Sequence, residues 1–278
     1  MVFSTVFSGV GWTFDRIFKV QRETFTVLRD PVILVTAGAA GFVGRAATLS
    51  IDNGGPKGGK HACCRRASQF GILMWVYVPV ASRMLPGTEC DPSFKAFTTF
   101  IIGAISGLTM RIVCNPLNRV LDECLRTGNS VSTVCRALRN KTVLQFYYTT
   151  PPLLGNALYF GTLLTVFEGL RRFSERSRLL PMKKDESGVA VLSARNCAIA
   201  TVGHTVIGGA AAFVASVLCY PISAHVYQQT VIHDSAICRG LLPTLRKEVP
   251  LMAVSFGMFS LFQSLFAPHH GARAGFGY

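Results

Sequence analysis

Residues 196–232 contain no Asp, Glu, Lys or Arg over 37 consecutive positions. Such a run fixes the solvent of a chain before it fixes the fold. A helix of about 20 apolar residues crosses the roughly 30 Å hydrocarbon core of a bilayer. Backbone in lipid must satisfy its own hydrogen bonds, which a helix does within one segment. Two further charge-free runs, Val143–Phe167 with 25 residues and Val249–Pro268 with 20, repeat the pattern. Half of all residues are hydrophobic and only 15% are charged, against about 25% charged in a soluble domain. The chain reads as an all-α, multi-pass membrane protein. Six spans are expected: about Pro31–Asp52, Ala67–Ser82, Ala96–Asn118, Val143–Phe167, Asn196–Gln228 and Val249–Phe266.

The formal net charge is +14. Nucleic-acid binding needs such charge gathered on a soluble face. Here it lies at segment ends and in short stretches such as Lys57–Arg66 and Arg171–Lys184. That placement suits anionic lipid head groups, and nucleic acid is excluded as a partner. Basic residues fall on both sides of the spans, so the positive-inside rule gives no orientation. The nine cysteines show no C-x-x-C spacing. The adjacent Cys63 and Cys64 have no partnering His or Cys pair, so no metal site is expected. No Ser/His/Asp, Cys/His or glycine-rich phosphate loop occurs, so no catalytic residue is assigned and no enzyme is expected. Residues 1–30 carry an apolar stripe of Phe3, Phe7, Val10, Phe14, Ile17 and Phe18. This reads as an N-terminal amphipathic extension that lies on a membrane or packs on a partner.

Two prolines sit late in apolar spans, Pro116 in "CNP" and Pro221 in "CYP". Each removes a helix hydrogen bond and crowds the preceding turn, at about 3 kcal/mol. Nine residues before Pro116 stands Gly107, closing G-A-I-S-G; nine before Pro221 stands Ala212, closing G-G-A-A-A. In the first span Gly41 closes A-G-A-A-G, nine residues before Ser50. Arg45 and Arg111 both stand five residues before these anchors. Small residues four apart let membrane helices approach closely. Three such units predict three two-helix pseudo-repeats, at about 31–92, 93–178 and 190–268, with a C-terminal tail at 269–278.

This organisation resembles the mitochondrial carrier family, whose odd helices end in P-x-[DE]-x-x-[KR]. "CRGLLPTLRKEVPLMAVSFGMFS" (Cys238–Ser260) is similar to its even-helix pattern. "ALYFGTLLTVFEGLRR" (Ala157–Arg172) ends in its aromatic-acid-x-x-basic motif, Phe167, Glu168 and Arg171. The resemblance covers about Pro31–Pro268 and is faint in the first repeat. It implies the carrier fold, a multi-pass place in the mitochondrial inner membrane, and two charge networks closing a central cavity in turn. At the first network this chain departs from the family. Ser50-x-Asp52 is followed by Gly55, Pro116-x-Asn118 by Leu121, and Pro221-x-Ser223 by Val226. One acid of three survives and no base, so the gate has no ion pairs to make. At the second network Glu168 and Arg171 are intact, but the third repeat has Ser260 and Gln263. The segments between paired helices are short, with room for an extra helix only at about Ser130–Lys141.

By the same resemblance, Arg45, Arg111, Gly155, Asn156 and Lys247 face the cavity as substrate contacts. Arg239 and Gly240 match a lipid-binding turn at a helix N-terminus, so bound cardiolipin is expected and no other cofactor. His204, alone in an apolar helix, reads as a satisfied core residue. Two functions follow. One is a transport-incompetent accessory subunit of a large inner-membrane complex, a respiratory-chain complex being the natural host. The other is an active carrier of a small anionic metabolite with a divergent gate.

Overall fold

The structure is a computed structural model that describes residues 31–49, 59–85, 92–128, 131–138, 153–177, 194–228 and 240–266. Seven α-helices occupy nearly all of them: α1 Pro31–Thr48, α2 Gly59–Met84, α3 Pro92–Thr127, α4 Val131–Leu138, α5 Leu153–Arg176, α6 Ala194–Gln228 and α7 Leu241–Phe266. The expected extension at 1–30, the tail at 269–278, the first ten residues of the expected fourth span, and Ser50, Asp52, Gly55 and Arg239 lie outside the described residues.

Six long helices fall on the six expected segments, but their ends differ. Hydropathy stopped the second span at Ala67, whereas α2 begins at Gly59 and carries Lys60, Arg65 and Arg66 in its first two turns. The stretch read as part of a connection after α1 is therefore helical from Gly59 onward. The fourth span was expected to end at Phe167; α5 continues to Arg176. Four helices are long and apolar enough to cross a membrane: α1, α3, α6 and α7. A short helix, α4, occupies Val131–Leu138, inside the room left at Ser130–Lys141.

The prolines do not close their helices. α3 runs eleven residues past Pro116 and α6 seven past Pro221. α3 ends instead at Gly128, whose φ of 69° is the left-handed conformation that terminates helices. Its N–H donates to the Cys124 carbonyl at 2.9 Å.

The sidedness of α6 is that of a membrane helix. Ala211, Ala212 and Ala215 are fully buried, while Val206 is 66% and Leu218 60% exposed. Small residues face protein and large apolar ones face outward, because close backbone approach rather than water exclusion holds helices together in lipid.

One contact occurs three times among the described residues. A Cβ placed on Gly41, Gly107 or Gly208 would lie 2.8 Å from the Cβ of Phe70, Phe160 or Phe256 respectively. Each of these phenylalanines is followed by glycine. A Cβ on Gly71, Gly161 or Gly257 would come within 3.2, 3.0 or 3.3 Å of the carbonyl oxygen of Leu34, Phe100 or Thr201. Those carbonyls stand seven residues before the first glycine in all three cases. The contact joins α1 to α2, α3 to α5 and α6 to α7. In the third pair it falls at Gly208, thirteen residues before Pro221, where the proline alignment had pointed to Ala212. That crossing therefore sits one helical turn further from its proline. The pairs join through α2–α3 and α5–α6 contacts. A Cβ on Gly44 of α1 would meet Ser255 of α7, so the last long helix touches the first.

Candidate functional site

The helix order brings cations together that are far apart in sequence. A cavity of about 390 Å³ opens among α1, α2, α3 and α7. Arg45 reaches it from the last turn of α1, Arg65 and Arg66 from the start of α2, and Lys247 from the start of α7. From α3 come Arg111, Asn118, Arg119 and Asp122, spread over three turns on either side of Pro116. Glu248 completes the charged lining, which among the described residues holds six cationic and two acidic side chains.

Both acids are engaged across helices. Asp122 of α3 pairs with Arg65 of α2 at 2.7 Å, in an exposed position. Glu248 of α7 accepts from Arg66 of α2 at 3.1 Å, in a half-buried one. α2 is thus tied to α3 and α7 by charge. Asn118 is 6% exposed, and neither its Nδ2 nor its Oδ1 has a hydrogen-bond partner among the described residues.

Of the residues expected at a cavity, Arg45, Arg111 and Lys247 line this one, while Gly155 and Asn156 are not among its lining residues. A Cβ on Gly107 would come within 3.2 Å of the Asn156 carbonyl, which puts that part of α5 at its crossing with α3. Arg65, Arg66, Arg119 and Asp122 were missed as site residues. Arg65 and Arg66 belong to a basic run read as head-group contact because the helix was taken to start later, and Arg119 and Asp122 lie just past the point where the third span was taken to end. Gly240 forms a turn at the start of α7, and a Cβ there would strike the Tyr220 hydroxyl. A side chain there would have to displace the tyrosine ring tip. The side chain of Ser223 lies outside the described residues, and Pro221 is exposed on α6. Pro116 is likewise exposed on α3.

Along α2 and α7 the cavity ends at an aromatic cluster. Phe70 packs edge-on against Phe256 at 5.4 Å and 86°, and against Phe259 at 6.1 Å and 85°. Phe167 of α5 stacks on Phe256 at 4.3 Å and 20°. All four rings are at most 2% exposed. Beyond Phe167 lie Glu168 and Arg171, each 3% exposed as side chains. Arg171 grips Glu168 bidentately, Nη2 to Oε1 at 2.9 Å and Nε to Oε2 at 3.1 Å. Its Nη1 also reaches Glu175 at 3.0 Å, and Arg172 adds a further bond to Glu168 at 2.9 Å. All four residues belong to α5. These bonds brace one helix, since residues three and four apart share a helix face. His204 lies beside Phe167. Its Nδ1 is 2.7 Å from the Ala200 carbonyl, which can only accept, so Nδ1 carries the proton. Ser260 Oγ lies 3.1 Å from the same nitrogen.

No family model matches the chain, and no curated protein matches it.

Proposed function

We propose that the chain is a divergent carrier-like protein of the mitochondrial inner membrane, with six membrane-crossing helices in three repeats. In this reading it has lost the two-gate transport cycle and serves as a structural accessory subunit of a large complex, of the respiratory-chain kind. The observation that carries the reading is the state of the α3 gate position. Asn118 is buried and neutral where a paired acid would stand, and the buried Leu121 occupies the place of its base. A gate that opens and closes by interhelix ion pairs cannot run on an amide and an alkyl chain. The three matched Gly–Phe crossings support the repeat arrangement.

Extraction in mild detergent followed by native electrophoresis tests the subunit reading. The expected outcome is co-migration with a high-mass assembly and recovery of partner chains. Migration as a lone chain near 30.1 kDa plus detergent would overturn it. A second reading, an active carrier of a small anionic metabolite, draws support from the cation-rich lining of the cavity. Uptake into proteoliposomes separates the two. Saturable anion exchange that disappears in Arg45→Gln would establish transport and remove the structural reading.

A further inference from the structure

We infer that Arg66 anchors a small-carboxylate site at the inner end of the cavity, and that Glu248 fills this site from within as the chain's own ligand. The inference goes beyond both readings of function above and depends on neither.

One edge of a guanidinium offers Nε–H and Nη2–H side by side, matched to the two oxygens of a carboxylate. At Arg171 this edge is filled: Glu168 accepts from Nη2 at 2.9 Å and from Nε at 3.1 Å. At Arg66 the same edge is half filled. Its Nη2 donates to Glu248 Oε2 at 3.1 Å, and the Met252 sulfur lies 3.4 Å from that same nitrogen. Its Nε is buried and has no partner among the described residues. A buried N–H left without an acceptor is destabilising.

The difference follows from where each carboxylate is attached. Glu168 lies three residues before Arg171 on one helix, where the pair shares a face. Glu248 reaches Arg66 from another helix, and the packing of that helix sets its approach. Met252 and Phe256 of α7 are fully buried, and Phe256 is locked edge-on against Phe70 of α2. Arg66 stands one turn before Phe70, and Glu248 two turns before Phe256. The pair therefore sits between the ring cluster and the cavity that both of its residues line.

A free carboxylate carries no helix with it, so it can take both N–H groups of the edge. The cavity of about 390 Å³ equals roughly a dozen waters at about 30 Å³ each, which is ample for an acetate-sized ion. In the native chain Glu248 stands in that ion's place.

The test follows thermal unfolding of the full chain in mild detergent, in sodium acetate and in sodium chloride at equal ionic strength. Glu248→Ala removes the internal carboxylate and leaves room beside Arg66. It lowers the melting temperature by roughly 2–10 °C in chloride, and acetate restores most of that loss along a saturable curve. Wild type, already filled, responds to acetate no more than to chloride. Adding Arg66→Lys to Glu248→Ala keeps the charge without the planar edge and moves acetate half-saturation roughly tenfold or more higher. Should Glu248→Ala fail to fold in chloride, Glu248→Gln takes its place in the same comparison. Acetate acting no better than chloride on the Glu248 variant overturns the inference, and so does an acetate effect that Arg66→Gln leaves unchanged. The electrophoretic test of the subunit reading is separate: a lone chain that still shows acetate rescue keeps the self-filled site and loses the subunit role.

Discussion

The two ends of this helix bundle solve the burial of charge in opposite ways. At the cavity, charges come from four helices, cations outnumber acids six to two, and the ion pairs run between helices. At the aromatic end, the buried charges come from one helix, every acid there bonds to an arginine three or four residues away, and the helices are held together by rings. Charge that is balanced locally can be buried without reference to neighbours. Charge paired between helices ties those helices together instead. The difference separates an end held by rings from an end held by ion pairs, and mutation can break or sharpen it.

The largest effect is expected at the rings. Phe256→Ala removes the edge contact with Phe70 and the stack on Phe167 at a fully buried position, and should cost about 3–5 kcal/mol in unfolding free energy. A loss below about 1 kcal/mol would show that the rings do not hold that end.

Glu168→Gln comes next. It strips Arg171 of its bidentate partner at 3% exposure, so a loss of about 3 kcal/mol is expected. Arg45→Gln is the matching change at the cavity. Arg45 is only part-buried, so the change should cost about 0–1 kcal/mol. Equal losses at the two sites would abolish the distinction between the ends.

Gly107→Val forces a side chain into 2.8 Å of Phe160 and should cost about 1–3 kcal/mol. Gly169→Ala is its control, with nothing within 4 Å of the new Cβ; it should gain up to about 1 kcal/mol from helix propensity. The smallest change is Arg65→Ala. Its pair with Asp122 is 38% and 53% exposed, and loss of such a pair is worth about 0–1 kcal/mol.

How much of this was legible depended on whether a residue announced its environment locally. Arg45, Arg111 and Lys247 stood out because each interrupts or borders an apolar run. Their meeting on one cavity was what the carrier resemblance implied. Arg65, Arg66, Arg119 and Asp122 carried the same chemistry but sat in polar stretches, where hydropathy ends a span. A helix lining a polar cavity has no reason to end there, so α2 began eight residues earlier and α3 ran nine residues later than expected. The Arg66–Glu248 bond joins residues 182 positions apart, and no local pattern encodes it. The Gly–Phe crossings were half legible. Small-residue spacing marked the odd helices, but the Phe-Gly dipeptides of α2, α5 and α7 look ordinary until each lies on its glycine. Glu168 and Arg171 were legible as a motif, but the motif does not state that Glu168 also takes Arg172 and that Arg171 also reaches Glu175.

The ring-built closure has a further consequence under changing ionic strength. Salt at physiological concentration screens exposed charges beyond about 8 Å, and apolar ring contacts are not weakened by it. Raising ionic strength should therefore loosen the Arg65–Asp122 tie between α2 and α3 and leave the Phe70–Phe256–Phe167 cluster closed. The two ends of one bundle would then part company in a single titration, with hydrogen exchange rising at the cavity rim while the aromatic end stays protected.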